Sequence, residues 1–153
     1  MYALPIEEHP FADSDQVFSG EMPSRLEARD QMIQEALHSV EAAGGHPDPF
    51  FDRLFLDELI SNAILHGNCQ DPAKTIRVRA FLRAGSWGFE IADQGPGFAW
   101  GSLLRNLEKP LDQSKDSGRG LALILSTGAG LHFLDGGRRV VIVRKDSEPE
   151  LGL

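Results

Sequence analysis

Glu58 and Asn62 stand one helical turn apart in LDELISNAILHGN, a stretch that otherwise has the apolar spacing of a buried helix. On a helical wheel they fall about 40° apart, with Phe51 projecting between them. Leu54, Leu65, Phe55 and Leu59 lie on either side, while Arg53, Asp57 and Ser61 mark the wet face. Leaving a carboxylate and an amide unpaired on an apolar arc costs about 1–3 kcal/mol each, so something must satisfy them. One reading is an internal hydrogen-bond network or a position at the helix rim. The other is a polar ligand: a carboxylate can act as a base, and an amide oxygen can bind a hard cation such as Mg²⁺. Asp93 shares the parity of Trp87, Phe89 and Ile91 and should face the core, at the head of DQGPG. It could accept the exocyclic amine of a purine, with Gly95 and Gly97 letting the backbone approach the ring. An ordinary Asp-Gly turn fits the same residues. Gly118-Arg119-Gly120 opens a helix whose free N–H groups favour a phosphate, or is simply a flexible helix start. His66 and Cys69 are two candidate metal ligands, too few for a site.

These residues need a frame to hold them. A short strand is expected at 15–18. Ser24-Arg25-Leu26-Glu27 matches a capping box, and Leu26, Ile33, Leu37 and Val40 carry an amphipathic helix to Gly44-Gly45. Asp48-Pro49 starts the second helix, which runs through Glu58 and Asn62 to about Gly67-Asn68. Ile76, Val78, Ala80 and Leu82 alternate with Arg77, Arg79, Phe81 and Arg83, giving a strand with one wet face. Ala84-Gly85-Ser86 turns it into a partner built on Trp87, Phe89 and Ile91. Residues 98–117 lack a firm period, which suits a lid. A third helix starts at about Arg119, and strands at 131–134 and 138–144 flank Asp135-Gly136-Gly137. The order predicts an α+β fold: a two-layer sandwich with a mixed, mainly antiparallel sheet and helices on one face. The body spans 15–146, between a loose leader at 1–14 and a tail at 147–153.

The 153 residues are 41% hydrophobic and 25% charged, which suits one domain with a true core rather than a disordered or membrane chain. A net charge of −8 argues against general affinity for nucleic acid or acidic membrane, and leaves open a basic protein partner. The single cysteine excludes an internal disulfide and fits a reducing cytosol. The acidic N-terminus has no signal-peptide pattern, so a cytoplasmic location is expected.

In order and spacing the motifs resemble the ATP-binding domain of the GHKL superfamily, which includes gyrase, the heat-shock chaperone, histidine kinases and the mismatch-repair ATPase. Glu58-x-x-x-Asn62 looks like its N-box, DQGPGF like its first glycine box and SGRGLALI like its second. Within the superfamily, ELISNAILHGN, the short lid and the small size are most similar to the anti-sigma-factor serine kinases. The resemblance implies ATP held between sheet and helices. Asn62 would ligate Mg²⁺, and Glu58 would be the general base. Asp93 would bind the adenine amine beside Gly95 and Gly97. Gly118, Arg119, Gly120 and Leu121 would bound the phosphates. It also implies a sigma factor and a STAS-type anti-anti-sigma protein as partners, with a homodimer possible. Arg25 lies where such kinases contact partners, although a solvated arginine fits as well. One departure stands out: where the family often has a threonine near the last strand, this chain reads GGRRVVIV, with Arg138 and Arg139. Three other readings compete. They are a detached histidine-kinase ATP-binding domain, an ATPase switch of the gyrase or chaperone type, and a non-catalytic ATP-binding interaction module of the same fold. The first expects a domain with a phospho-acceptor histidine and a dimerisation helix pair, which the sequence does not display; the second expects large extra domains, for which 153 residues leave no room.

Overall fold

The alternating apolar stretches all form strands, and each pairs antiparallel with its neighbour. The computed structural model describes residues 8–97 and 119–145. Five strands, β1 (Gln16–Pro23), β2 (Thr75–Arg83), β3 (Ser86–Ala92), β4 (Gly130–Leu134) and β5 (Arg139–Lys145), stand in the order β1-β2-β3-β5-β4. Three helices, α1 (Arg29–Ala42), α2 (Phe51–Asn62) and α3 (Arg119–Ser126), pack on one face. The expected α+β sandwich is therefore observed, with every strand pairing antiparallel. The expected lid at 98–117, Gly118 and the tail at 147–153 lie outside the described residues.

The inner layer follows the period of each element. Ile76, Val78 and Ala80 of β2, Phe89 and Ile91 of β3, and Ile142 of β5 meet Ile33, Ala36 and Val40 of α1 and Phe55, Leu56 and Leu59 of α2. Fully burying a side chain of this size stabilises by about 1.5–3 kcal/mol. Asp48 starts α2 as expected: its Oδ1 accepts from the N–H groups of Phe50 and Phe51 at 2.8 and 2.7 Å. Asp52 returns the bond, its Oδ2 accepting from the Asp48 N–H at 2.7 Å.

Five expectations are corrected. The first strand is longer than 15–18 and reaches Pro23, followed by a 3₁₀ turn at Leu26–Ala28. Ser24 therefore does not cap α1: it is buried, and its hydroxyl accepts from Asn68 Nδ2 at 3.2 Å. The outer face of the sheet is not simply wet. Phe81 is fully buried there, stacked on Phe11 at 5.2 Å between ring centroids. Phe11 fits because Gly88 has no side chain; a Cβ at Gly88 would meet its ring. The end of the supposed leader is thus part of the body, with His9 Nε2 also 3.0 Å from Glu90 Oε1. Finally, the buried residues of α2 are Asp52, Phe55, Leu56, Leu59, Ile60 and Asn62. Asn62 is buried as expected, whereas Glu58 is only half-buried, at the flank where the start of α3 meets its carboxylate.

Candidate functional site

The α2 helix carries the first half of the site. Asn62 is buried, Glu58 is half-buried, and Asn62 Nδ2 donates to Glu58 Oε1 at 3.3 Å. The start of α3 closes on this pair: a Cβ at Gly120 would collide with the Glu58 carboxylate, so glycine is what permits the approach. Burial pushes the Glu58 carboxyl above its usual range, the Asn62 amide opposes that, and the nearby Asp57 charge adds to it. A cavity of about 350 Å³ opens onto Glu58, lined by Arg29, Leu54, Asp57, Ser61, Gly120 and Leu123. Its wall is fixed from α1, where Arg29 Nη1 donates to Ser61 Oγ at 2.5 Å and pairs with Asp57 Oδ1 at 3.4 Å. Hence the face of α2 taken to be wet is half-covered by the first turn of α1.

The second half lies where α2 runs into a π-helical turn, Ala63–Gly67. Such turns widen the helix and recur at functional sites. At about 1.5 Å per residue, Asn62 and Gly67 are within about 8 Å along the axis. The Asp93 carboxylate abuts Gly67, and its Oδ1 accepts from the Gly95 N–H at 2.8 Å. Gly95 in turn packs on the Gly67 carbonyl so tightly that no Cβ would fit. Gly97 adopts φ +104°, which glycine accepts readily. Burial raises the Asp93 carboxyl, while the Gly95 N–H and the charges of Arg138 and Lys74 pull it down.

Of the residues picked from sequence, Glu58, Asn62 and Gly120 form one cluster, and Asp93, Gly95 and Gly97 a second at the end of the same helix. Arg119 begins α3, next to Gly120. Leu121 is fully buried in the core, so it can offer a phosphate only its backbone. Two residues were missed. Asn68 is fully buried: its Nδ2 donates to Ser24 Oγ and to Thr75 O, and its Oδ1 accepts from the Gln94 N–H at 2.7 Å. It ties the glycine loop to two strands, yet in sequence it reads only as a helix end. Asp52 is also buried, paired with Arg144 Nε at 2.9 Å, and burial raises its carboxyl against Arg144. Its place at the first turn of α2 hid it as an ordinary acidic start.

The donor set suits magnesium. Among the described residues no three His, Cys, Asp or Glu side chains gather as a metal cage. Magnesium on a nucleotide is held largely by phosphate and water oxygens and needs only one or two protein oxygens, which an amide such as Asn62 can supply. Among the described residues, no helix is long and apolar enough to cross a membrane. A family model described as a histidine kinase-like ATPase domain matches residues 22–145. No curated protein matches the chain.

Proposed function

The chain belongs to the family of histidine kinase-like ATPase domains, and on that footing we propose that it is an ATP-dependent protein-serine kinase of the anti-sigma type. It binds a sigma factor and phosphorylates a serine on a STAS-type anti-anti-sigma protein. The observation that carries this reading is the open cavity onto Glu58: a partner's hydroxyl has a route to a carboxylate whose raised proton affinity suits a base.

Asp93 accepts the adenine amine, beside the closely packed backbones of Gly67 and Gly95. Asn62 offers its amide oxygen to Mg²⁺, which when bound neutralises charge on the phosphates. Glu58 takes the serine proton as the serine oxygen bonds to the γ-phosphorus and the bond to the β–γ bridging oxygen breaks, releasing ADP. Phosphoryl transfer asks for positioning and charge neutralisation more than covalent help, so this small set is sufficient.

Incubation with γ-labelled ATP and candidate STAS proteins tests the reading. Label on a partner serine is the expected result. Label on a histidine would indicate a histidine-kinase module, free phosphate alone an ATPase switch, and nucleotide binding without turnover an interaction module.

A further inference from the structure

The two arginines that replace the family's threonine do different jobs, and one of them works on the glycine loop. Arg139 turns to the outer face, to Asp135 Oδ2 at 2.6 Å and Glu90 Oε1 at 3.1 Å. Arg138 reaches across the turn to the loop that follows Asp93. Its Nε donates to Gly95 O at 2.9 Å and its Nη2 to Pro96 O at 3.1 Å. Its Nη1 donates to Asp135 O at 3.0 Å, which ties the fork to its own turn. Its backbone carbonyl accepts from the Asp93 N–H at 2.9 Å. One residue therefore holds the loop at 93, 95 and 96.

We propose that Arg138 is a positioning residue for base recognition, clamping the Gly95 and Pro96 carbonyls so that Asp93 and the glycine loop stay set against the end of α2. This rests on the reading of Asp93 as the adenine acceptor. The need for a clamp follows from the loop's composition. Asn68 holds the loop at Gln94 and Asp93 accepts from the Gly95 N–H, but Gly95 and Gly97 carry no side chain to pack and Pro96 has no N–H, so the Gly95 and Pro96 carbonyls are the handles left for a clamp. Glycine also loses the most backbone freedom on being ordered. A planar guanidinium can hold two carbonyls at once, which an ammonium cannot do with the same geometry. The side chain is exposed, so its removal opens no core cavity. Its charge also opposes the effect of burial on Asp93, favouring the ionised acceptor that an amine requires.

The test uses the full chain in three forms: parent, R138Q and R138K. ATP affinity is measured by calorimetry across the acid and neutral range, beside thermal melting. At neutral pH both variants should bind ATP about tenfold more weakly, the scale of one lost charge-assisted hydrogen bond. Melting should move by no more than about 2 °C, as for a surface change. The pH profile separates position from charge. In R138Q the acid-side loss of affinity should move to higher pH, because Asp93 loses a nearby cation; in R138K it should stay in place. Parent affinity and profile in R138Q would overturn the clamp. So would a loss of affinity that merely tracks a fall in melting temperature with an unmoved profile. A parent that binds no adenine nucleotide would contradict the proposed function itself. A parent that binds ATP and loses it in Asp93→Asn but not in R138Q contradicts the clamp alone.

Discussion

Glu58 and Glu90 are both glutamates taken from water by the same sheet-and-helix body, yet they stand in opposite electrostatic states. Glu90, 2% exposed on the outer face, accepts from Arg79 Nε and Nη2 at 2.8 and 2.9 Å and from Arg139 Nη1 at 3.1 Å, with His9 at 3.0 Å. Burial alone would raise it, but Arg79, Arg139 and His9 more than offset that and hold it below the usual range. Glu58, on the inner side, has an amide at 3.3 Å and a like charge nearby, and sits above the usual range. Charge on the outer face is compensated and ties strands together. The charge of Glu58 is left under-compensated, where a base is useful.

The sharpest break of this comparison is Glu58→Gln, which keeps shape but cannot take a proton. Phosphorylation should fall by about 10²–10⁴ while Mg-ATP binding stays near the parent's. Full transfer in a radiolabel assay would remove Glu58 as the base. Next is Glu90→Gln. Removing the carboxylate from between two arginines should cost about 3 kcal/mol of stability, or roughly 6–12 °C in Tm for a chain of this size. Denaturant melts would show it, with nucleotide binding unchanged. Asp93→Asn should then weaken ATP binding about 10- to 150-fold, the loss of one charge-assisted hydrogen bond worth about 1.5–3 kcal/mol. Calorimetry reads this directly.

The smallest effect concerns pH. Glu90 is held low, so its stabilisation is present above the ordinary carboxylate range and is lost as pH falls through its folded value. Glu58 is held high, so the parent gives up stability as pH rises through its folded value. Glu58→Gln should therefore melt slightly above the parent at neutral pH and level with it in acid. The Glu90→Gln deficit should shrink in acid. Melting curves for the three proteins across the carboxylate range check both signs, and parallel curves would deny the contrast.

The element order was legible in the sequence because each stretch keeps one period: two along β2 and β3, near 3.6 along α1 and α2. Asp48 and Gly44 were legible because caps and stops act locally. The remainder depended on neighbours that no local pattern names. Ser24 matched a capping box, but its hydroxyl turned to Asn68 from a distant turn. The wheel of α2 put Asn62 rightly on the buried side but Glu58 too far inward, because it could not know that the start of α3 would meet Glu58 at the flank. Phe81 read as solvent-facing because its cover, Phe11, comes from a segment without periodicity. Arg138 read as a departure, since sequence alone does not say which carbonyls a guanidinium will find.

The central claim is that the inner-side polar set is a Mg-ATP site while the outer-face set is structural. Calorimetric titration of Mg-ATP into parent, Asn62→Ala and Glu90→Gln, at a temperature where all three are folded, tests it most directly. The account predicts matching affinity for parent and Glu90→Gln, and a large loss for Asn62→Ala, whose missing amide oxygen is the protein's contact to magnesium. Parent-like binding by Asn62→Ala, or loss confined to Glu90→Gln, would contradict it.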